Sequence, residues 1–158
     1  MKLRMNHLLN LNLIAISLLL MMSGAAAAQL KIDITRGHAE PLPIAVTDLQ
    51  GEQREMRDFG RRISEVVRGN LERSGLFQAI DPDAFIQTPA SLLVQPRFSD
   101  WRVLNAQALM YGEVKPAEDR KLRVTFRLWD VFAEQQLEGL AYTTTRDNWR
   151  RVAHIISD

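Results

Sequence analysis

Two segments of this chain show the strict alternation of apolar and polar side chains that is typical of half-buried β-strands. In the first, Leu30, Ile32 and Ile34 alternate with polar residues as far as Thr35. In the second, Leu122–Trp129, every other side chain is again apolar. We therefore predict a strand in each segment.

A different spacing, with apolar residues three and four positions apart, predicts two amphipathic helices. The first runs from Met56 to Leu71 and ends before Gly75, which we place at a left-handed C-cap. Arginines and acidic residues interleave on its other face, as expected of a solvent-exposed surface. The second helix is predicted to be capped by Asp147, and its apolar face consists of Trp149, Val152, Ala153 and Ile156.

Apolar runs between turn-forming residues predict the remaining strands. These runs are Ile44–Val46, Leu76–Ile80, Ala108–Val114 and Leu137–Thr145. Between the second and third run, Asp81-Pro82 predicts a short helix through Ile86, Thr88–Phe98 predicts a surface loop, and Ser99–Leu104 predicts one helical turn. The whole pattern predicts an α/β (α+β) fold, a mixed sheet of about five or six strands flanked by two main helices.

The first 28 residues, Met1–Ala28, are organised as a secretory signal peptide. A basic start is followed by an apolar run from Leu8 to Met22 and by small residues that match a cleavage site before Gln29. The alternative is a retained anchor, but the run is shorter than the ~20 residues that a spanning helix needs. We therefore expect cleavage after Ala28, one domain formed by residues 29–158, a periplasmic location and no stable membrane insertion after cleavage.

The charge of the mature chain argues against electrostatic binding to nucleic acid. Cleavage after Ala28 removes Lys2 and Arg4 and changes the formal net charge from +1 to −1. A nearly neutral domain has no bulk attraction to nucleic acid or to an anionic membrane. The chain contains no cysteine, which excludes disulfides, thiol chemistry and cysteine-ligated metal sites.

The sequence contains no motif that would carry catalysis. His38 and His154 have no neighbour at metal-ligand spacing, and there is no HExxH, glycine-rich phosphate loop or GxSxG sequence. Asp81 and Asp83 could form a carboxylate pair, but the intervening Pro82 favours helix capping. We therefore expect no enzymatic activity, no cofactor and no metal.

The polar side of the strand Leu122–Trp129 suggests an alternative function. Its cationic and aromatic side chains are Lys121, Arg123, Arg127 and Trp129. Such a face resembles a platform for nucleic acid, although the net charge favours a face that is exposed to solvent or covered by a helix. The alternative hypothesis is a periplasmic binding module that holds a small ligand or an envelope polymer on this face.

The last residues continue the helical pattern to the end of the sequence. Ile155 and Ile156 are still in helical register when the chain stops at Asp158, without a glycine or a capping residue. Because helices seldom end inside an apolar face, we interpret the chain as truncated or as the first domain of a longer protein.

Four stretches of the sequence resemble the amino-terminal domain of the TolB family in their order and spacing. They are Gln29–Val46, Asn70–Asp81, Ala108–Val114 and Tyr142–Asp158, and they follow a signal peptide. The resemblance implies a mixed α/β domain that is similar in fold to the anticodon-binding domain of some tRNA synthetases. In the family this domain precedes a β-propeller that binds the lipoprotein Pal, and no part of this sequence corresponds to the propeller.

The resemblance also implies a partner-binding segment at the start of the mature chain. In the family, the extreme amino-terminal segment binds the C-terminal domain of TolA. It maps here onto Gln29, Leu30, Lys31, Ile32, Asp33, Ile34, Thr35, Arg36, Gly37, His38, Ala39 and Glu40. Lys31, Asp33 and His38 depart from the more apolar or smaller residues of the family. The implied function is a non-enzymatic periplasmic adaptor of the Tol-Pal system that supports outer-membrane integrity and constriction during cell division, with Pal bound only through the propeller.

An energy balance indicates how the segment Gln29–Glu40 could be released from the domain. Ordering about seven strand residues costs roughly 1–2 kcal/mol each in backbone entropy. Burial of Leu30, Ile32 and Ile34 returns at most about 1.5–3 kcal/mol each. Because the two contributions nearly cancel, a modest coupling energy could release the strand, and its alternation suits addition to a partner's sheet. A permanently docked first strand is the other interpretation.

Overall fold

Five strands and four helices follow one another in residues 40–158, the part of the chain that this computed structural model describes. In chain order they are β1 (Leu42–Val46), α1 (Arg54–Arg73), β2 (Phe77–Ala79), α2 (Pro89–Leu92), α3 (Phe98–Val103), β3 (Ala108–Pro116), β4 (Leu122–Asp130), β5 (Gln135–Thr144) and α4 (Trp149–Ser157). Short 3-10 turns span Pro82–Ala84, Glu118–Arg120 and Arg146–Asn148. The strand predicted at Leu30–Thr35 lies outside the described residues.

The strands form one mixed sheet in the order β2-β1-β3-β4-β5. β1 pairs in parallel with β2 and β3, whereas β3, β4 and β5 pair antiparallel. The prediction of an α+β fold with a mixed sheet is therefore confirmed. The two parallel pairs place β1 inside the sheet, although it is the first strand described.

The inner strand β1 accommodates Pro43, which has no backbone N–H to donate. The carbonyl of Pro43 accepts a hydrogen bond from Gln107 N at 2.9 Å, on the side of β3. The β1–β3 register begins one residue later, where Ile44 pairs with Ala108. The N–H that Pro43 lacks would lie on this side of β1, where the β1–β3 ladder has not yet begun.

The two long helices, α1 and α4, cover one face of the sheet. Their buried side chains include Met56, Ile63, Val67, Trp149 and Val152, which pack against the inward residues of β1, β3 and β4. The period of three and four read from the sequence matches this buried face. Gly75 has φ 71°, as predicted for a left-handed C-cap after α1.

The opposite face of the sheet has a second core, which the sequence pattern did not predict. Leu92 and Trp101 are fully buried there against Ala45, Leu109 and Tyr111 of the sheet. The prediction of a surface loop over Thr88–Phe98 is therefore wrong in part: Pro89 begins α2, and Phe98 begins α3. Proline is well tolerated at the first turn of a helix, so Pro89 starts a helix where we predicted a loop.

Two helix starts differ in detail from their prediction. Asp81 Oδ1 accepts a hydrogen bond from Asp83 N at 3.0 Å, which confirms the cap, but the turn ends at Ala84. Asp147 does not cap α4, because it lies within a 3-10 turn, and α4 begins after Asn148 without a side-chain cap. The short turn before α4 takes the place of the predicted cap.

Candidate functional site

The predicted partner-binding segment, Gln29–Glu40, lies outside the described residues except for Glu40. Glu40 is exposed and has no regular secondary structure, and Pro41 connects it to β1. At the first residue of β1, Leu42 N donates a hydrogen bond to Leu76 O at 2.8 Å. The segment therefore joins the domain at the start of its central parallel strand.

The other end of β1 is fixed to α1 by buried polar contacts. The hydroxyl of Ser64 donates to Thr47 O at 2.9 Å and accepts from Leu49 N at 3.1 Å. Arg68 Nη1 donates to Val46 O at 2.8 Å, and the same guanidinium forms an ion pair with Asp48 at 3.2 Å. These bonds anchor the carboxyl end of β1 to α1 independently of the segment that precedes the strand.

An apolar cavity of about 130 Å³ lies between the sheet and the two long helices. It begins beside Leu42 and is lined also by Leu71, Phe77, Leu128, Leu137 and Ile156, among others. Because Leu42 is the first strand residue described, the cavity lies next to the point where the amino-terminal segment enters the domain.

A more polar cleft of about 250 Å³ lies on the opposite face of the sheet, beside the end of α2. Leu93, Glu113, Lys115, Thr125 and Arg127 are among its lining residues. Lys115 Nζ is 2.8 Å from Glu113 Oε1, so this pair is neutralised internally. The other cation of the cleft, Arg127, has no carboxylate within 4 Å of its guanidinium among residues 40–158.

The structure divides the four residues of the hypothetical ligand-binding face. Trp129 is turned into the second core, where its ring is 5.4 Å from that of Phe98. Lys121 forms an ion pair with Asp119, and only Arg123 and Arg127 point from the strand into solvent. The face is thus partly covered by α3 and partly exposed, and it does not form a continuous aromatic and cationic platform.

The described residues show no arrangement that would bind a metal ion. No group of three or more histidine, aspartate or glutamate side chains in residues 40–158 is close enough to hold one. Within the same range, no helix is both long and apolar enough to cross a membrane.

Three polar residues that organise the domain have no recognisable sequence signal. The charge pattern placed Arg68 on the solvent-exposed face of the first helix, and it assigned no role to Ser64. Gln87 is buried, and its side chain bonds to Gln95 O at 2.8 Å, Arg97 N at 2.8 Å and Trp101 Nε1 at 3.2 Å. These roles depend on tertiary neighbours, which periodicity does not reveal.

Comparisons with known proteins identify the family. The family model for the TolB amino-terminal domain matches residues 30–137. The Tol-Pal system protein TolB of Paramagnetospirillum magneticum is 47% identical over 133 residues, which cover 84% of this chain and 30% of that protein. This chain thus spans about a third of the length of that relative.

Solved structures share the fold. TolB from Acinetobacter baumannii superposes with a TM-score of 0.61 at 21% identity, over 75% of this chain and 27% of that chain. Lipoprotein GNA1162 from Neisseria meningitidis superposes with a TM-score of 0.53 at 15% identity, over 74% of this chain and 92% of that chain. The resemblance noted in the sequence is confirmed, and the chain belongs to the TolB family through its amino-terminal domain.

Proposed function

We propose that this chain is a non-enzymatic periplasmic adaptor of the Tol-Pal system and that its segment Gln29–Glu40 binds the C-terminal domain of TolA. Through this contact it supports outer-membrane integrity and constriction during cell division. Membership of the TolB family is the observation that carries the proposal.

The geometry at the start of β1 supports a segment that can exchange between the domain and a partner. β1 is bonded to α1 through Ser64 and Arg68, so contacts outside the segment Gln29–Glu40 help to hold this strand in the sheet. Glu40 and Pro41 are exposed, and Gly37, a hinge candidate, lies three positions earlier. A strand held by Leu30, Ile32 and Ile34 alone is near energetic balance and can be released by a modest coupling energy.

Binding of Pal belongs to a different part of the family protein. The family's Pal surface lies in the propeller, and residues 29–158 contain no counterpart of it. We therefore expect that a protein limited to residues 29–158 binds TolA but does not capture Pal with the affinity of a full-length homologue. Pal binding by this fragment at full affinity would show that the interaction is misplaced.

Deletion of Gln29–Glu40 tests the proposal directly. TolA binding should be lost, while the melting temperature should change by only a few degrees, as expected for a change in unfolding free energy near 1 kcal/mol. Isothermal titration calorimetry with the TolA C-terminal domain and thermal unfolding by circular dichroism give the two readouts. Retained TolA binding would overturn the assignment of the segment, and a domain that unfolds would overturn its release.

Two matched sets of substitutions separate the role of the apolar side chains from that of the segment's length. Replacement of Leu30, Ile32 and Ile34 by serine should abolish TolA binding, because strand addition buries one side of the strand. Replacement of Lys31, Asp33 and Thr35 by alanine keeps that side and should retain most of the affinity. Equal loss in both sets would contradict binding as an alternating strand.

A further inference from the structure

We propose that the outer edge of β5 is a second docking site, which accepts an extended segment of a protein partner as an added strand. The segment that fits this edge alternates apolar side chains with acidic ones. The proposed site lies on a different element from the segment Gln29–Glu40, and it does not depend on TolA binding.

The backbone of β5 is available for pairing. β5 runs from Gln135 to Thr144 and pairs with β4 on one side, whereas no strand in residues 40–158 pairs with its other side. The opposite edge of the sheet, β2, is only three residues long. Proteins usually protect long edges with lysine, proline or short length. β5 contains no lysine, arginine or proline, and Glu138 is its one charged residue. A β-bulge, another protection of such edges, lies opposite Leu128 and Trp129, and it leaves the stretch from Glu138 to Thr144 in regular register.

One face of this edge is largely apolar and exposed, and Glu138, which pairs with Leu128, is the one charged residue of β5 on it. Leu137 and Leu140 keep 47% and 43% of their surface accessible. Beside them, the rings of Phe126 and Tyr142 stack at 6.4 Å, and Leu137 also lines the apolar cavity. Alternate side chains of an added strand would lie beside these residues, because side chains on one face of neighbouring strands are in contact.

The other face of the same edge is cationic. On β4, Arg123 and Arg127 lie opposite Thr143 and Gly139 of β5, and neither guanidinium has a carboxylate within 4 Å among the described residues. A Cβ placed on Gly139 would lie 2.5 Å from Gln136 Nε2 and 3.9 Å from Arg127 Cγ, so the arginine stem runs alongside the glycine next to the Gln136 amide. Because strands are about 4.8 Å apart, arginines that extend over small residues of β5 can reach carboxylates on an added strand.

Charge distinguishes a foreign partner from the two occupants that this chain could supply. In a second copy paired through β5, the cationic face would meet Gly139, Ala141 and Thr143, none of which offers a carboxylate. The chain's own alternating segment would bring Lys31 as well as Asp33 to one face of the strand. An apolar–acidic strand satisfies both faces of the edge.

The test uses residues 29–158 and a short capped peptide in which valines alternate with glutamates and threonines, titrated to about 2 mM because isolated strands bind weakly. We expect amide shifts in the NMR spectrum and slowed hydrogen exchange confined to β5. A peptide with lysine in place of glutamate should bind about tenfold more weakly. Arg127→Glu should reverse this preference, which a merely structural role of Arg127 would not do.

Substitutions on the apolar face give a second, independent readout. Leu140→Lys should weaken binding of the glutamate peptide about tenfold. Leu76→Lys, at a leucine that is 61% exposed before β2 at the far edge, should leave it unchanged. The proposal is overturned if neither peptide perturbs β5, if both bind equally well, or if β5 is protected by self-association without peptide. A gain in peptide affinity on deletion of residues 29–39 would also overturn it, since the chain's own segment would then occupy the edge.

Discussion

Gly60 lies in the middle of α1 at a point where the helix touches the backbone that follows β1. A Cβ at this position would lie 1.9 Å from the carbonyl oxygen of Leu49 and 2.8 Å from its carbonyl carbon, and both distances are too short for non-bonded atoms. The absence of a side chain therefore allows the close approach in which Ser64, one turn later, bonds to Leu49 N and Thr47 O. Gly60 therefore stabilises the contact between α1 and the loop after β1, although glycine lowers the stability of the helix itself.

Replacement of Gly60 by alanine should destabilise the domain by about 1–3 kcal/mol, because the helix or the loop must shift to avoid the Leu49 carbonyl. Gly69→Ala is the matched control in the same helix, since a Cβ at Gly69 would come no closer than 3.8 Å to a neighbouring side chain, at Arg73 Nη1. That control should stabilise by up to about 1 kcal/mol through helix propensity. Urea unfolding measures the change in unfolding free energy for both variants. A Gly60→Ala substitution that is neutral or stabilising would contradict the close-contact argument.

The residue scale is also where prediction from sequence fails. The sequence pattern assigned no structural role to Gly60, and it placed the arginines of this helix, Arg68 among them, on a solvent-exposed face. In the structure Arg68 instead bonds to Val46 O and Asp48 across the gap to the sheet. Each role is created by a residue far away in the sequence, so no local pattern could indicate it.

At the scale of elements, the segment that carries α2 and α3 is held together by the side chain of Gln87. Its amide oxygen accepts from Arg97 N and from Trp101 Nε1, and its amide nitrogen donates to Gln95 O. Gln87 is only 2% exposed, so water could not reach these partners to replace its hydrogen bonds if the amide were removed. The cover over the second core thus depends on one buried amide.

Replacement of Gln87 by leucine, which has a similar volume, should destabilise the domain by about 2–4 kcal/mol, because it leaves buried polar groups without partners. Gln95→Ala is the control, since Gln95 takes part only through its backbone carbonyl and its side chain is exposed. Trp101 fluorescence should report loosening of this segment in the Gln87 variant. Equal stability of the two variants would contradict the role of the buried amide.

Periodic elements were predicted well, and irregular ones were not. The alternation in β4 and the three-and-four spacing in α1 reflect burial on one face, which the sequence records directly. The segment Thr88–Phe98 buries Leu92 without any period, so its prolines suggested a surface loop, whereas the helical turn predicted over Ser99–Leu104 is present as α3. The position of β5 at the edge of the sheet could not be predicted either, because local periodicity does not indicate the order of strands within a sheet.

At the scale of the whole molecule, the described domain is preceded by a segment whose sequence predicts export. Mature protein isolated from the periplasm should begin at Gln29, since the small residues before it match a cleavage site. Intact-mass spectrometry of periplasmic and membrane fractions checks the prediction. Recovery of a form that keeps Leu8–Met22 in the inner membrane would contradict it.

The parallel pairing of β1 bears on how the domain assembles while the chain is being synthesised. Ile44 of β1 pairs with Ala108 of β3, and α1, β2, α2 and α3 lie between these two residues in the sequence. Helix α1 can form early from local contacts, whereas the middle of the sheet must wait for a strand that emerges much later. During that interval one edge of β1 has no partner strand, so the same topology that places β1 inside the finished sheet leaves its backbone unpaired for longer than that of any other strand during synthesis.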